Sequence, residues 1–213
     1  MAKVYLDYLG ALIGSVGKVS YYMRYSDNIA RRKGEERKVS NAPALVEQRQ
    51  KFGMLAHLST VLQPAIELGF PQRKRGQSAR NAFHQLNKDV CTVEGEMVVV
   101  DYENLLCSNG SLVPPDVTVS FDAVAGKFSF VQEQMEEEEM GCNADDAVRA
   151  VLLECEKGFC RLVRLRKRGE GGSTSVALPK NWNGDNVVVY CFAVSADGKK
   201  ASTSLYLTVE AGS

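Results

Sequence analysis

Beyond Pro114-Pro115 the chain resolves into seven short β-rich segments: Val117 to Phe121, Lys127 to Val131, Ala147 to Glu154, Cys160 to Leu165, Ser173 to Leu178, Val187 to Val194 and Ser202 to Val209. Gly, Asn and Asp signals separate them. Strands this short cannot bury an apolar face alone, and a series of them at this spacing predicts an antiparallel β-sandwich of immunoglobulin or fibronectin type, about 100 residues long. Asn183-Gly184-Asp185 makes a turn after Trp182, whose indole is placed to close one end of the sandwich while staying partly exposed. Asp197-Gly198-Lys199-Lys200 reads as a hairpin turn. In the last segment, alternation puts Leu205, Leu207 and Val209 on one face.

The preceding residues have a different texture. Gly10, Gly14 and Gly17 punctuate an apolar and aromatic opening, a density that disfavours helix and suits tight turns between short strands. Arg31-Arg32-Lys33-Gly34-Glu35-Glu36-Arg37-Lys38 mixes both signs of charge around a glycine and reads as a solvated loop. Asn41 as cap, Pro43 in the first turn and apolar Leu45, Phe52, Leu55, Leu58 and Leu62 predict a helix, which Pro64 should kink or end and Gly69-Phe70-Pro71 should stop. A second helix is predicted over 78–89, with Ala79, Ala82, Phe83 and Leu86 on one face. Met97 to Val100 and Leu105 to Cys107 read as strands. The expected class is α+β, with a basic N-terminal region of short strands and a helical pair over 1–113 and the sandwich over 114–213.

The chain of 213 residues is formally neutral, yet residues 1–92 carry 15 Lys/Arg against 7 Asp/Glu and residues 93–213 carry 11 against 19. Opposite fields at the two ends suit an anionic partner or head-to-tail contact between copies. The apolar run from Tyr8 to Val16 is far shorter than the roughly 20 residues that span a bilayer. Asp7 and the glycines after it interrupt any secretory signal, so synthesis is expected in the cytoplasm. The six cysteines, Cys91, Cys107, Cys142, Cys155, Cys160 and Cys191, show no C-x-x-C pair or zinc spacing and are expected to be mostly buried thiols.

Acid–base or nucleophilic chemistry has two histidines to draw on, His57 and His84, both in the helical region. The sequence lacks a nucleophile elbow, a phosphate loop, a dinucleotide fingerprint and a metalloprotease motif, so no catalytic, cofactor or metal residue is assigned and a non-enzyme is expected. Glu136 to Glu139 with Asp145-Asp146 lacks the order of a calcium loop and is read as solvated charge. Arg31, Arg32, Lys33, Arg73, Lys74, Arg75 and Arg80, interleaved upstream with Tyr21, Tyr22 and Tyr25, form a candidate interaction surface for protein or nucleic acid. Trp182 and Tyr190 are candidate contacts if the sandwich loops bind a glycan or protein instead.

Three stretches carry a resemblance: Leu9-Gly10 with Gly14-Ser15-Val16-Gly17-Lys18-Val19, then Val39-Ser40-Asn41, then Gln48-Arg49-Gln50-Lys51-Phe52. Further points are Ser108 to Leu112, Leu178-Pro179 with Trp182 and Gly184-Asp185, and Ser195 to Lys200 followed by Ser204-Leu205-Tyr206. Together they make the chain similar, over nearly its whole length, to an uncharacterised bacterial family found mostly in gut Bacteroidota and known only as a domain of unknown function. Where that family usually enters its helix with Pro-Arg-Thr after the asparagine, this chain has Ala42-Pro43-Ala44. The helix opening is also similar to that of phage structural proteins, which implies by analogy a virion or surface-assembly role. The expectation from sequence is a structural or assembly protein that docks onto copies of itself or a partner. Its rivals are a monomeric ligand-binding module and a nucleic-acid binder.

Overall fold

The computed structural model of the chain describes residues 2–4, 10–24, 26–34, 40–95, 97–134 and 140–211. It is α+β, as expected, with three α-helices and mostly antiparallel sheets among the described residues. The chain forms two compact units, Met1–Leu45 and Val46–Ser213.

The first unit is a sheet of β1 (Ala2–Val4), β2 (Gly14–Val16), β3 (Val19–Arg24) and β4 (Asp27–Arg32), in the order β1-β4-β3-β2 with every neighbour antiparallel. Gly17, at φ +55°, supplies the left-handed backbone that the tight β2–β3 turn requires. Among its described residues only Asn28 and Ile29 are buried. The Asn28 side chain donates from Nδ2 to the Leu12 carbonyl at 2.9 Å. The charged stretch expected as a loop begins instead as strand: Arg31 and Arg32 pair with Ser20 and Val19, and exposed arginines can occupy the end of a half-solvated strand. Lys33 and Gly34 lie beyond it, and residues 35–38 are outside the described residues.

Helix α1 (Pro43–Val61) gives way at Leu62 to α2 (Gln63–Gly69), in which Pro64 sits in the first turn, where its missing N–H has no helical partner to lose. The expected break at Pro64 and the stop at Gly69 are both present. Helix α3 (Ala79–Leu86) is capped by Ser78, whose hydroxyl accepts from the Asn81 N–H at 3.1 Å. A hairpin of β5 (Cys91–Glu94) and β6 (Met97–Val100) follows.

The remaining strands are β7 (Val117–Asp122), β8 (Lys127–Gln132), β9 (Ala147–Glu154), β10 (Phe159–Lys167), β11 (Gly172–Ala177), β12 (Val187–Val194), β13 (Leu205–Leu207) and β14 (Val209–Ala211). They form two sheets, β10-β9-β12-β13 and β11-β8-β7-β14. Between these lies a core that includes Val119, Phe128, Phe130, Ala150, Leu152, Val163, Val189 and Cys191. The opposite face of β9 and β12 presents Val151, Leu153, Tyr190, Phe192 and Val194 to Leu58, Leu62, Ile66, Phe70 and Phe83 of the helical segment. Side chains alternate along a strand, so this one sheet carries two cores, and each fully buried large apolar side chain contributes about 1.5–3 kcal/mol.

Two expectations are corrected here. Leu105 to Cys107 is not a strand: the run is irregular and its backbone is satisfied by side chains. Asn87 Oδ1 accepts from the Leu106 N–H at 2.8 Å, Asn87 Nδ2 donates to the Leu106 carbonyl at 2.8 Å, and Ser204 Oγ accepts from the Cys107 N–H at 3.0 Å. Ser202 to Val209 is not one strand but two, split at Thr208: β13 pairs antiparallel with β12, and β14 pairs parallel with β7 in the other sheet. Leu207 and Val209 pack on the core, while Leu205 stays largely exposed. The helices after Leu45 share a core with β9 and β12 within the second compact unit.

Candidate interaction groove

Helices α1 and α2 on one side and α3 on the other leave an open groove. One part, about 610 Å³, is lined by Phe52, Ala56, Ser59, Thr60, Arg80 and His84, among others. The neighbouring part, about 550 Å³, shares Ser59 and Arg80 and adds Glu67 and Arg73. Periodicity placed Phe52 with Leu55, Leu58 and Leu62 on the helix's apolar face. The last three are buried, but Phe52 is 62% exposed at the groove's rim and Leu45 is 43% exposed.

Phe52 lies 5.2 Å, ring centre to ring centre, from His84. His84 Nε2 is 3.2 Å from Ser59 Oγ, and that hydroxyl donates its one proton to the Ala56 carbonyl at 2.8 Å. The imidazole therefore donates from Nε2, leaving Nδ1 as a buried acceptor with no partner among the described residues. Burial first, and the Arg80 charge second, hold its pKa below the ordinary imidazole value, so the ring is neutral at pH 7. With its proton on a backbone carbonyl, Ser59 is a packing group rather than an activated nucleophile.

Of the sequence-predicted surface residues, Arg73 and Arg80 meet in this groove. Arg73 Nη1 donates to the Phe70 carbonyl at 2.6 Å, which fixes the guanidinium beside the end of α2. Lys74 and Arg75 are exposed in the connection between α2 and α3. Arg31, Arg32 and Lys33 are exposed on the first unit, and Tyr25 is outside the described residues. Trp182 is half-buried and packs on the core between the two large sheets. Tyr190 is no loop contact: it is fully buried on the helix side and donates its hydroxyl proton to the Tyr102 carbonyl at 2.6 Å.

The acidic cluster divides. Residues 136–139 are outside the described residues, and Asp145 is exposed, but Asp146 is fully buried instead of solvated. Its carboxylate faces Arg168 Nε at 3.4 Å and accepts from the Asn143 N–H at 3.1 Å. Arg168 also donates to the Val113 carbonyl and to Cys142 Sγ, tying the turn after β10 to the entry of β7. Among the described residues no three metal-binding side chains converge. All six cysteines are free thiols, and burial pushes Cys107, Cys160 and Cys191 up to about 12, which keeps them protonated and unreactive. No helix among the described residues is long and apolar enough to cross a membrane.

No curated protein and no solved structure matches the chain significantly. A family model does match, over residues 4–208, a span that includes the groove and every strand of the two large sheets except β14. The chain belongs to the family of unknown function DUF6266.

Proposed function

We propose that this chain is a non-enzymatic assembly protein whose helical groove receives the acidic half of a second copy. The observation that carries this reading is Phe52, a large aromatic 62% exposed on the rim of a groove that also holds Arg80 and Arg73. Aromatic and arginine side chains set in a concavity are the groups that dominate protein interfaces. Charge selects the occupant: residues 93–213 carry 19 Asp/Glu against 11 Lys/Arg, including the run Glu136 to Glu139 between Met135 and Met140. The groove lies in the oppositely charged half, so copies approach head to tail, and contacts of that kind build rings or filaments.

The two facing sheets are the scaffold in this reading, and we take them to be an immunoglobulin or fibronectin-type sandwich. Strand order supports this: β11-β8-β7 faces β10-β9-β12-β13, seven strands with antiparallel neighbours throughout.

Light scattering on untagged, nuclease-treated protein eluting from a sizing column tests assembly. The expected result is a mass above 23.4 kDa that rises with concentration and falls with salt. Phe52→Asp, a change at an exposed position, should hold the chain at 23.4 kDa. Wild-type protein that stays at that mass at every concentration and salt overturns the reading.

A further inference from the structure

We propose that Arg149 and Arg164 form an oxyanion site on the helix-bearing face of the central sheet, one that takes a phosphate group. Arg149 on β9 lies directly opposite Arg164 on β10, and on its other side opposite Phe192 on β12. Phe192 faces the helices, so both arginines share that face. Opposed positions in an antiparallel pair bring Cβ atoms to about 4.5–5.5 Å, and like charges there repel.

Among the described residues no acidic side chain relieves the repulsion. Neither arginine forms an ion pair among the described residues. Arg149 is half-buried, and its Nη1 is shielded from water with no hydrogen-bond partner among the described residues. Burial first, and the charge of Arg164 second, weaken its hold on its proton.

The neighbouring arginines behave differently. Arg161 donates to the Ala177 carbonyl at 3.0 Å, Arg166 to the Ser173 carbonyl at 3.4 Å, and Arg168 is tied to Asp146. The local chain thus satisfies three guanidinium groups internally and leaves the opposed pair open. Two guanidinium forks side by side present planar N–H pairs and two positive charges, which match a phosphate dianion in geometry and in charge. A phosphate bound at the exposed Arg164 and the half-buried Arg149 would convert the repulsion into bridging. The site is separate from the groove, and it stands whether or not the protein assembles.

Thermal unfolding of the full chain in inorganic phosphate, against sodium chloride at matched ionic strength, tests the site. A phosphate-specific rise of about 2–4 °C is expected. Phosphate also stabilises proteins generally by exclusion from their surfaces, so the decisive result is loss of the rise in Arg149→Met, which keeps an apolar stem but no charge. Arg164→Met, at an exposed position, gives the same loss and serves as the test if the first variant does not fold. Glycerol 3-phosphate in place of the free ion shows, by the larger of the two shifts, whether the site prefers a phosphate monoester. Absence of a phosphate-specific rise in the wild type, or a rise undiminished in both variants, overturns the proposal.

Discussion

The two large sheets are built from different kinds of sequence. In the outer sheet, β7 reads Val-Thr-Val-Ser-Phe-Asp and β8 reads Lys-Phe-Ser-Phe-Val-Gln, apolar at alternate positions over most of their length. In the central sheet, β9 reads Ala-Val-Arg-Ala-Val-Leu-Leu-Glu and β12 reads Val-Val-Val-Tyr-Cys-Phe-Ala-Val, with buried residues at nearly every position. Alternation marks a strand with one covered face. A continuous apolar run marks a strand with two, and here the second cover is the helical segment. The helices and the central sheet are therefore one folding unit, and neither is expected to be stable without the other.

The largest expected effect comes from the centre of that unit. Phe192→Ala removes a fully buried ring from the layer between central sheet and helices and should cost about 3–5 kcal/mol in a denaturant melt, a single cooperative transition being lost from helix and sheet together. Two separate transitions would break the comparison. Next is Asn87→Ala, which strips the Leu106 N–H and carbonyl of their partners and should cost about 1–3 kcal/mol, with faster amide exchange at Leu106. The smallest is Val131→Thr on the open face of β8, where half the side chain is exposed, and the expected change is within about 0.5 kcal/mol. A larger loss there would mean that the outer sheet too has a second cover.

Much of this was legible in the sequence. The positions of the first six C-terminal segments, the helix break at Pro64 and the Ser78 start of α3 follow from local chemistry: β-rich runs, a residue without an N–H, a hydroxyl placed to cap. What could not be read depends on groups far apart in the chain. Leu105 to Cys107 has strand composition, but Asn87 and Ser204, the latter 97 residues from Cys107, take the hydrogen bonds that a neighbouring strand would have supplied. A run such as Val187 to Val194 is legible as a strand, but how many faces it buries is not. Phe52 has the spacing of a core residue, and periodicity cannot tell a helix face that meets another element from one that stops at the edge of a groove. Arg149 and Arg164 were passed over because only the pairing register sets them side by side.

The division of the final segment at Thr208 has a mechanical side. Because β14 runs parallel to β7, the entry to the first strand of the outer sheet and the exit from the last lie at opposite ends of the same pair. Tension applied between Val113 and the residues after Ala211 therefore pulls the two strands past each other along their length. Their hydrogen bonds share such a shearing load together, whereas strands peeled apart from one end give way one bond at a time. A chain built this way resists being stretched along the line that joins the two ends of its scaffold.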